Sequence, residues 1–347
     1  MPKTYSDPAA AAPAVQSVPE IGAARPARPA QAESTLSGPT MGTRWSARYE
    51  APPDFDHEAL SRDLGRAVGS VDAQMSPWKP DSDLMRLNRA EPEHWVALPA
   101  ALLEVLARAL DIGALSGGAY DAAVGGLVNA WGFGATADTP DPAAIRRAAA
   151  DHRPAHLWLD VDREQGRARK RAPLILDLCG IAKGYAVDRM ARVMALHGVD
   201  HALVGLDGEL RARGARADGR PWAVALESPR EGCRTAHGVI ELADLAVATS
   251  GDYRRWVRVG GERLAHTMDG RRTAPVRNPV ASVTVLSADC MDADAWATAL
   301  LVAGPDEGPA LARRMGLDAL FLLRRADRLV EFGLGRFALQ PERSSPF

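Results

Sequence analysis

The first feature of this chain that could take part in chemistry is a lysine between two glycines. Lys183 follows Gly180 by three residues and directly precedes Gly184. Residues 177–190 read DLCGIAKGYAVDRM, and Lys183 stands where an apolar segment gives way to a helical pattern. Glycine lets the backbone approach a ligand closely, and a helix start offers free N–H groups and a positive dipole end. These features suit a phosphate-bearing ligand, although neither the Walker A nor the GxGxxG spacing is present. A tight strand-to-helix turn with a solvated lysine is the alternative interpretation.

The segment CMDADAWATAL, residues 290–300, places a carboxylate and a hydroxyl on one face of a predicted helix. Asp294 and Thr298 are four residues apart, so their side chains are neighbours. Together with backbone carbonyls and water, such oxygens are ligands that Mg²⁺ accepts. The same pattern is also expected from an acid that stabilises a helix N-terminus and a threonine that faces its own helix.

Three loops carry further candidates. The segment LAHTMDGRRTAPV (264–276) contains His266, which either takes a proton from a hydroxyl near neutral pH or is a surface group. Trp78, in MSPWKPDSDLMRLN (75–88), either stacks on a flat heterocycle or packs under its own loop. The glycine-rich segment 117–134 is either a backbone-lined ligand loop or a sharp turn before a short helix, with Trp131 and Phe133 in the core.

Composition limits the classes of function. Of the 347 residues, 46% are hydrophobic and 25% are charged, which is typical of a globular protein. The net charge of -2 argues against nucleic acid as a partner. Three widely spaced cysteines, at 179, 233 and 290, argue against a disulfide framework or a structural zinc site. There is no apolar run of about 18 residues, so we expect no transmembrane segment. No signal peptide or lipobox cysteine is visible, so we expect a cytoplasmic protein.

Residues 1–36 are rich in Ala and Pro, so we expect a disordered arm, followed by one large domain over residues 37–342. Strands and helices mix without a strict βαβ alternation, which favours the α+β class. A strand is predicted over 168–178, directly before the lysine turn. Apolar residues at helical spacing predict helices over 57–75, 99–118, 184–198 and 292–304, and another after residue 307.

The order of the motifs is more specific than any one of them. The segments GPTMGTRW, MSPWKPDSDLMRLN, GAYDAAVGGLVNAWGFG, LDLCGIAKGYAVDRM, VATSGDYRRW, HTMDGRRTAPV and DADAWATALLVAG, in this order, resemble the ApbE family of FAD:protein FMN transferases. The resemblance extends from about residue 38 to 325. It implies one large α+β domain of mixed antiparallel sheets and helices, with a T-fold-like architecture.

The resemblance also implies a reaction and a set of site residues. In such an enzyme Mg²⁺ assists cleavage of the FAD pyrophosphate, FMN passes to a Thr or Ser hydroxyl of an acceptor flavoprotein, and AMP leaves. The residues that match the family's metal site are Ala182, through its carbonyl, Asp294 and Thr298, and His266 matches the proposed base. The positions that match its FAD contacts are Met41, Trp78, Ala119, Tyr120, Asp121, Cys179, Lys183, Tyr185 and Met268.

Two departures from the family pattern bear on transfer rate and acceptor choice. Residues 269–273 read DGRRT where the family usually has DPRTG, and residues 207–209 read DGE where GGD is common. Two other functions therefore stay open at this stage. One is an FAD pyrophosphatase that uses water as the acceptor, and the other is a flavin-binding protein without turnover.

Overall fold

The structure is a computed structural model that describes residues 32–135, 139–229, 235–259, 261–325 and 328–338. Eight α-helices lie within these ranges. In chain order they are α1 (His57–Met75), α2 (Asp83–Arg89), α3 (Ala100–Leu115), α4 (Gly125–Ala130), α5 (Pro142–Asp151), α6 (Ala155–Trp158), α7 (Ala182–Leu196) and α8 (Cys290–Met315).

Strands of the described ranges form one large sheet and four small ones. They are β1 (Ala32–Thr40), β2 (Thr43–Ala51), β3 (Val96–Ala97), β4 (Leu159–Asp162), β5 (Arg167–Lys170), β6 (Ala202–Leu206), β7 (Glu209–Arg213), β8 (Trp222–Glu227), β9 (Ala236–Leu242), β10 (Ala246–Gly251), β11 (Trp256–Val259), β12 (Glu262–Ala265), β13 (Met268–Asp269), β14 (Ala274–Pro275), β15 (Val280–Ser287), β16 (Asp318–Arg325) and β17 (Arg328–Leu334).

The large sheet is antiparallel throughout and has the strand order β1-β2-β6-β7-β10-β15-β16-β17. Successive side chains of a strand point to opposite faces, and both faces of the central strands are covered. On β6, for example, Val204 joins the main core under the helices, whereas Leu203 joins a smaller cluster with Trp222 of the β8–β9 hairpin. The sheet therefore lies between a helical layer and a β-hairpin.

Helices α7 and α8 approach each other closely at a glycine. A Cβ atom placed on Gly184 would lie 2.3 Å from the carbonyl oxygen of Cys290, so only glycine fits at this contact. One turn further along α7, the carboxylate of Asp188 accepts hydrogen bonds from the N–H groups of Cys290 and Met291, at 2.8 and 2.9 Å. Asp188 thus caps the start of α8 and fixes its first turns against the start of α7.

The predicted α+β class, with antiparallel sheets in a single domain, is confirmed. The predicted helix over 57–75 coincides with α1, and those over 99–118 and 184–198 correspond to α3 and α7. The two helices predicted near the carboxyl end form one element, α8, which is broken at Gly304, where φ is 81°. Pro305 follows that break and cannot continue the amide hydrogen-bond pattern.

Two boundaries were predicted wrongly. Residues 32–36 belong to strand β1, where they pair with residues 47–51 of β2, so the ordered chain begins before residue 37. The rest of the predicted arm, residues 1–31, lies outside the described residues, as do residues 339–342 of the predicted domain. The strand predicted over 168–178 ends at Lys170, because Pro173 lacks an N–H group and Asn88 binds the backbone of Leu176 instead.

Across the described ranges, no helix combines the length and the apolar composition that spanning a bilayer requires.

The contact at Gly184 predicts opposite effects for two Gly→Ala substitutions. Gly184→Ala should lower the free energy of unfolding by about 1–3 kcal/mol, because the added methyl group forces α7 and α8 apart. Gly69→Ala, on the exposed side of α1 with nothing within 4 Å of the added atom, should raise it by roughly 0.5–1 kcal/mol. Urea unfolding of both variants measures the difference. Equal stability of the two variants would contradict the close contact.

Candidate active site

A large cavity opens between the β1–β2 turn, the start of α7, the β6–β7 turn and strand β8. Its volume is about 1120 Å³. It gathers every predicted site residue except Tyr185; the lining includes Met41, Trp78, Ala119, Tyr120, Asp121, Cys179, Ala182, Lys183, His266, Met268, Asp294 and Thr298. Residues separated by more than 250 positions in the chain thus surround one space.

The predicted metal ligands lie together at the α7–α8 contact. Asp294 accepts a hydrogen bond from the N–H group of Gly184 through Oδ2, at 3.0 Å, so its carboxylate faces the first turn of α7, which begins at Ala182. Thr298 lies one turn further along α8, and its Oγ1 would be 3.0 Å from a Cβ placed on Gly180. The glycine-flanked turn and the Asp294–Thr298 face of α8 therefore form one wall of the cavity.

Two residues that the sequence did not assign to this wall complete it. The hydroxyl of Ser250 lies 2.9 Å from that of Thr298, which links β10 to α8. Glu209, the first residue of β7, accepts a hydrogen bond from the Lys183 ammonium at 2.6 Å through Oε1. The other oxygen, Oε2, is buried and has no hydrogen-bond partner among the described residues. The sequence analysis noted Glu209 only because residues 207–209 read DGE where the family commonly has GGD, and it predicted no role for this residue.

The wall carries an excess of buried negative charge. Asp294 is only 4% exposed, and burial together with the charge of Glu209 raises the pKa of its carboxyl to about 7, although Lys183 acts in the opposite direction. Burial alone would lower the pKa of Lys183, but Glu209 and Asp294 outweigh it and raise that pKa above its usual value. Two carboxylates therefore face one ammonium, and a bound cation would balance the charge.

The donor set fits a hard divalent cation of the magnesium type. Within the described ranges, no group of three His, Cys, Asp or Glu side chains is arranged to hold a metal. The Asp294 carboxylate and the Thr298 hydroxyl instead lie at this wall, which Ala182 also lines, and Mg²⁺ commonly combines few protein oxygens with water and substrate phosphates. Cys179 also lines the cavity, and its thiol is free and exposed.

His266 lines the same cavity and is held there as a neutral imidazole. Burial and the nearby charge of Arg255 lower the pKa of His266 to about 4. Its Nδ1 lies 3.3 Å from the carbonyl oxygen of Arg255. A carbonyl can only accept a hydrogen bond, so this contact places the proton on Nδ1 and leaves the lone pair of Nε2 available. The imidazole can therefore take up a proton through Nε2.

Asp121 lines the cavity, but its carboxylate is used to hold the chain. Oδ1 accepts the N–H groups of Ala123 and Ala155, both at 2.9 Å, and Oδ2 lies 3.0 Å from Nε2 of His152. A Cβ placed on Gly270 would be 2.8 Å from the same Oδ2. Asp121 thus fixes the 119–123 loop against α6 and against the turn between β13 and β14.

Two aromatic residues differ in how they relate to the cavity. The side chain of Trp78 is exposed, with 47% of its surface accessible at the edge of the cavity, so it does not pack under its own loop. Tyr185 is buried away from the cavity, and its hydroxyl donates a hydrogen bond to Glu104 of α3 at 2.9 Å. The structure therefore gives no support to the predicted FAD contact of Tyr185, because its hydroxyl binds Glu104 and its side chain is not part of the cavity lining.

The chain is similar in sequence and in fold to known proteins. A model of the ApbE family matches residues 41–321. The chain is 34% identical to the FAD:protein FMN transferase of Klebsiella pneumoniae (strain 342), over 88% of each protein. It is 36% identical to the FAD:protein FMN transferase of Vibrio cholerae serotype O1, over 87% of this chain and 91% of that protein.

Solved structures agree with these matches. The flavin transferase ApbE from Vibrio cholerae superimposes with a TM-score of 0.79 at 34% identity, covering 88% of this chain and 97% of that one. The flavinyl transferase ApbE from Pseudomonas stutzeri, in its apo form, gives the same TM-score and identity over 87% of this chain and 95% of that one. The chain therefore belongs to the ApbE family.

Proposed function

We propose that the chain is a Mg²⁺-dependent FAD:protein FMN transferase. It would cleave the pyrophosphate of FAD, attach FMN to a Thr or Ser hydroxyl of an acceptor flavoprotein, and release AMP. The observation that carries this proposal is the buried, negatively charged wall at the α7–α8 contact, where Asp294 and Thr298 face the turn at Ala182. The cavity beside it exceeds the usual range of small-molecule pockets, roughly 300–1,000 Å³, which suits a dinucleotide.

Asp294, Thr298 and the carbonyl of Ala182 are the groups that would hold the cation. When bound, Mg²⁺ would neutralise the pyrophosphate and stabilise the charge that develops on the departing AMP. Lys183 donates one N–H bond to Glu209, so its ammonium keeps two donors for phosphate oxygens. The positive end of the α7 dipole adds further positive potential on the same side of the cavity.

His266 supplies the proton acceptor that the transfer requires. A new bond forms between the acceptor hydroxyl oxygen and the phosphorus of the FMN half, while the bond from that phosphorus to the AMP oxygen breaks. The hydroxyl proton passes to Nε2 of His266, which its contact with Arg255 leaves unprotonated. Positioning and charge account for most of the acceleration in such a reaction, because phosphoryl transfer needs little covalent help from a protein.

Hydrolysis of FAD and simple flavin binding are the competing possibilities for a chain with this cavity. Purified protein incubated with FAD and Mg²⁺, with and without a co-expressed candidate acceptor, separates the three. Mass spectrometry should find an acceptor heavier by one FMN, and AMP should accumulate with it. Rapid release of free FMN without an acceptor would instead indicate a pyrophosphatase, and tight FAD binding without AMP would indicate a binding protein.

Removal of the metal-binding carboxylate should abolish turnover without unfolding the chain. Asp294→Ala should lower Mg²⁺-dependent turnover of FAD at least ~100-fold, since the cation loses its charged ligand. Asp292→Ala is the matched control, because that carboxylate lies on the same helix but binds Arg108, at 2.6 and 2.7 Å. AMP release and the melting temperature are measured for both. Normal turnover by the Asp294 variant would refute the metal assignment.

Removal of the imidazole should impair transfer but not binding. His266→Ala should lower the transfer rate by about 10²–10⁴-fold, the usual contribution of a general base, while the dissociation constant for FAD stays unchanged. Because the pKa of His266 is about 4, the wild-type rate at saturating Mg²⁺ should not fall between pH 8 and pH 5 on account of this group. A rate that halves near pH 6.5 and loses that dependence in the variant would contradict a buried, neutral base.

The raised pKa of Asp294 predicts a pH-dependent cost to stability in metal-free protein. In the folded chain this carboxyl has a pKa of about 7, against 3.8 for an unperturbed group, so the folded state binds its proton more tightly. Its contribution to the free energy of unfolding therefore decreases as pH rises from about 4 through 7.

Asp294→Asn removes this titration and keeps an acceptor for Gly184. The variant should gain stability relative to wild type between pH 4 and pH 8, and Mg²⁺ should reduce that advantage at pH 8 by stabilising the wild type. Urea unfolding at several pH values gives the difference. A difference that stays constant across this range would show that Asp294 titrates normally.

A further inference from the structure

We infer that Glu209 is a positioning residue that holds the Lys183 ammonium away from Asp294 and so keeps the Asp294 carboxylate available for the cation. This inference deepens the proposed function and rests on it. It concerns the first residue of β7, whose carboxylate binds Lys183 at the start of α7.

Lys183 lies within electrostatic reach of both carboxylates and is hydrogen-bonded to one. Its ammonium donates to Oε1 of Glu209 at 2.6 Å, whereas Asp294 accepts from the backbone of Gly184. Gly184 directly follows Lys183 in the first turn of α7, so the Asp294 carboxylate is bound beside the backbone that carries the ammonium. If Lys183 lost its bond to Glu209, its ammonium would therefore form an ion pair with the Asp294 carboxylate.

Glu209 is fixed where it can hold the lysine. It begins β7, directly after the two-residue turn Asp207–Gly208, in which Asp207 has a φ of 57°. An Asp-Gly pair is the preferred sequence for such a tight hairpin turn. Arg254 binds Asp207 at 2.9 Å and also contacts Glu227 of β8, which ties the turn to the opposite wall of the cavity. The Glu209 side chain is 3% exposed and cannot move away without displacing this wall.

Burial of the Glu209 carboxylate lowers the free energy of unfolding, so its position at this wall calls for a functional explanation. Its Oε2 is buried without a hydrogen-bond partner among the described residues, and an unsatisfied carboxylate oxygen destabilises a fold. The negative charge of Glu209 neutralises the Lys183 ammonium, so Asp294 does not have to do so. Without Glu209, the ammonium would compete with the cation for the Asp294 carboxylate.

The test is a double-mutant cycle read out by metal binding in flavin-free protein. Mn²⁺ replaces Mg²⁺, and the electron paramagnetic resonance signal of free Mn²⁺ gives the dissociation constant. Glu209→Met removes the acceptor, Lys183→Met removes the ammonium, and the two are combined. Asp294→Ala serves as the reference for loss of the site, and thermal unfolding establishes that each variant is folded. Glu209→Gln, which keeps an acceptor but no charge, is a second variant in case Glu209→Met does not fold.

Glu209→Met should weaken Mn²⁺ binding by about 10–100-fold, the usual effect of substituting a residue that orients a metal site. Adding Lys183→Met should restore the affinity to within roughly threefold of that of Lys183→Met alone, because the competing ammonium is gone. If the double variant binds as weakly as Glu209→Met, Glu209 does not act through Lys183 and the inference fails. Unchanged binding in both Glu209 variants also overturns it, while loss of binding in Asp294→Ala would still support the metal site. Wild-type affinity in Asp294→Ala would refute the metal site itself.

Discussion

The site depends on a carboxylate that is buried at the contact between two helices. Asp294 lies inside the protein because Gly184 lets α7 and α8 approach closely and because Asp188 caps the start of α8. In that position water cannot solvate the charge, and the neighbouring Glu209 makes ionisation harder still. A protein that keeps two buried carboxylates beside one ammonium is suited to bind a cation, and the cavity next to them gives a phosphate ligand access to it. Strands β7 and β10 and helices α7 and α8 carry the residues of this wall and fix their positions.

The two sides of the cavity differ in electrostatic character. The α7–α8 wall carries two buried carboxylates beside one ammonium, whereas His266 is kept neutral by burial and by Arg255. A neutral imidazole would suit the proposed transfer of a phosphoryl group from a pyrophosphate to an incoming hydroxyl, because the base must not be protonated before the substrate arrives. The carboxylate of Asp121 is occupied by backbone N–H groups and His152, and the FAD contact that the resemblance implies for this residue stays a prediction.

Local spacing in the sequence placed Asp294 and Thr298 on one helix face, where the structure has them. The family resemblance supplied most of the other predicted site residues, and all of them except Tyr185 line the cavity. Contacts that depend on tertiary structure could not be predicted in this way. Nothing near Glu209 in the chain indicates that β7 brings it to Lys183, and nothing near Tyr185 shows that α3 lies beside it. The wrong strand over 174–178 has the same origin, because Asn88, far away in sequence, binds that segment.

The position of the bound cation can be measured directly. Crystals grown with FAD and Mn²⁺ and recorded near the manganese absorption edge would show the ion as an anomalous peak. We expect that peak within about 2–2.5 Å of the Asp294 carboxylate, the Thr298 hydroxyl and the carbonyl of residue 182, with FAD phosphate oxygens completing its coordination. An ion bound elsewhere in the cavity, with these three groups unliganded, would contradict the central role of the α7–α8 contact.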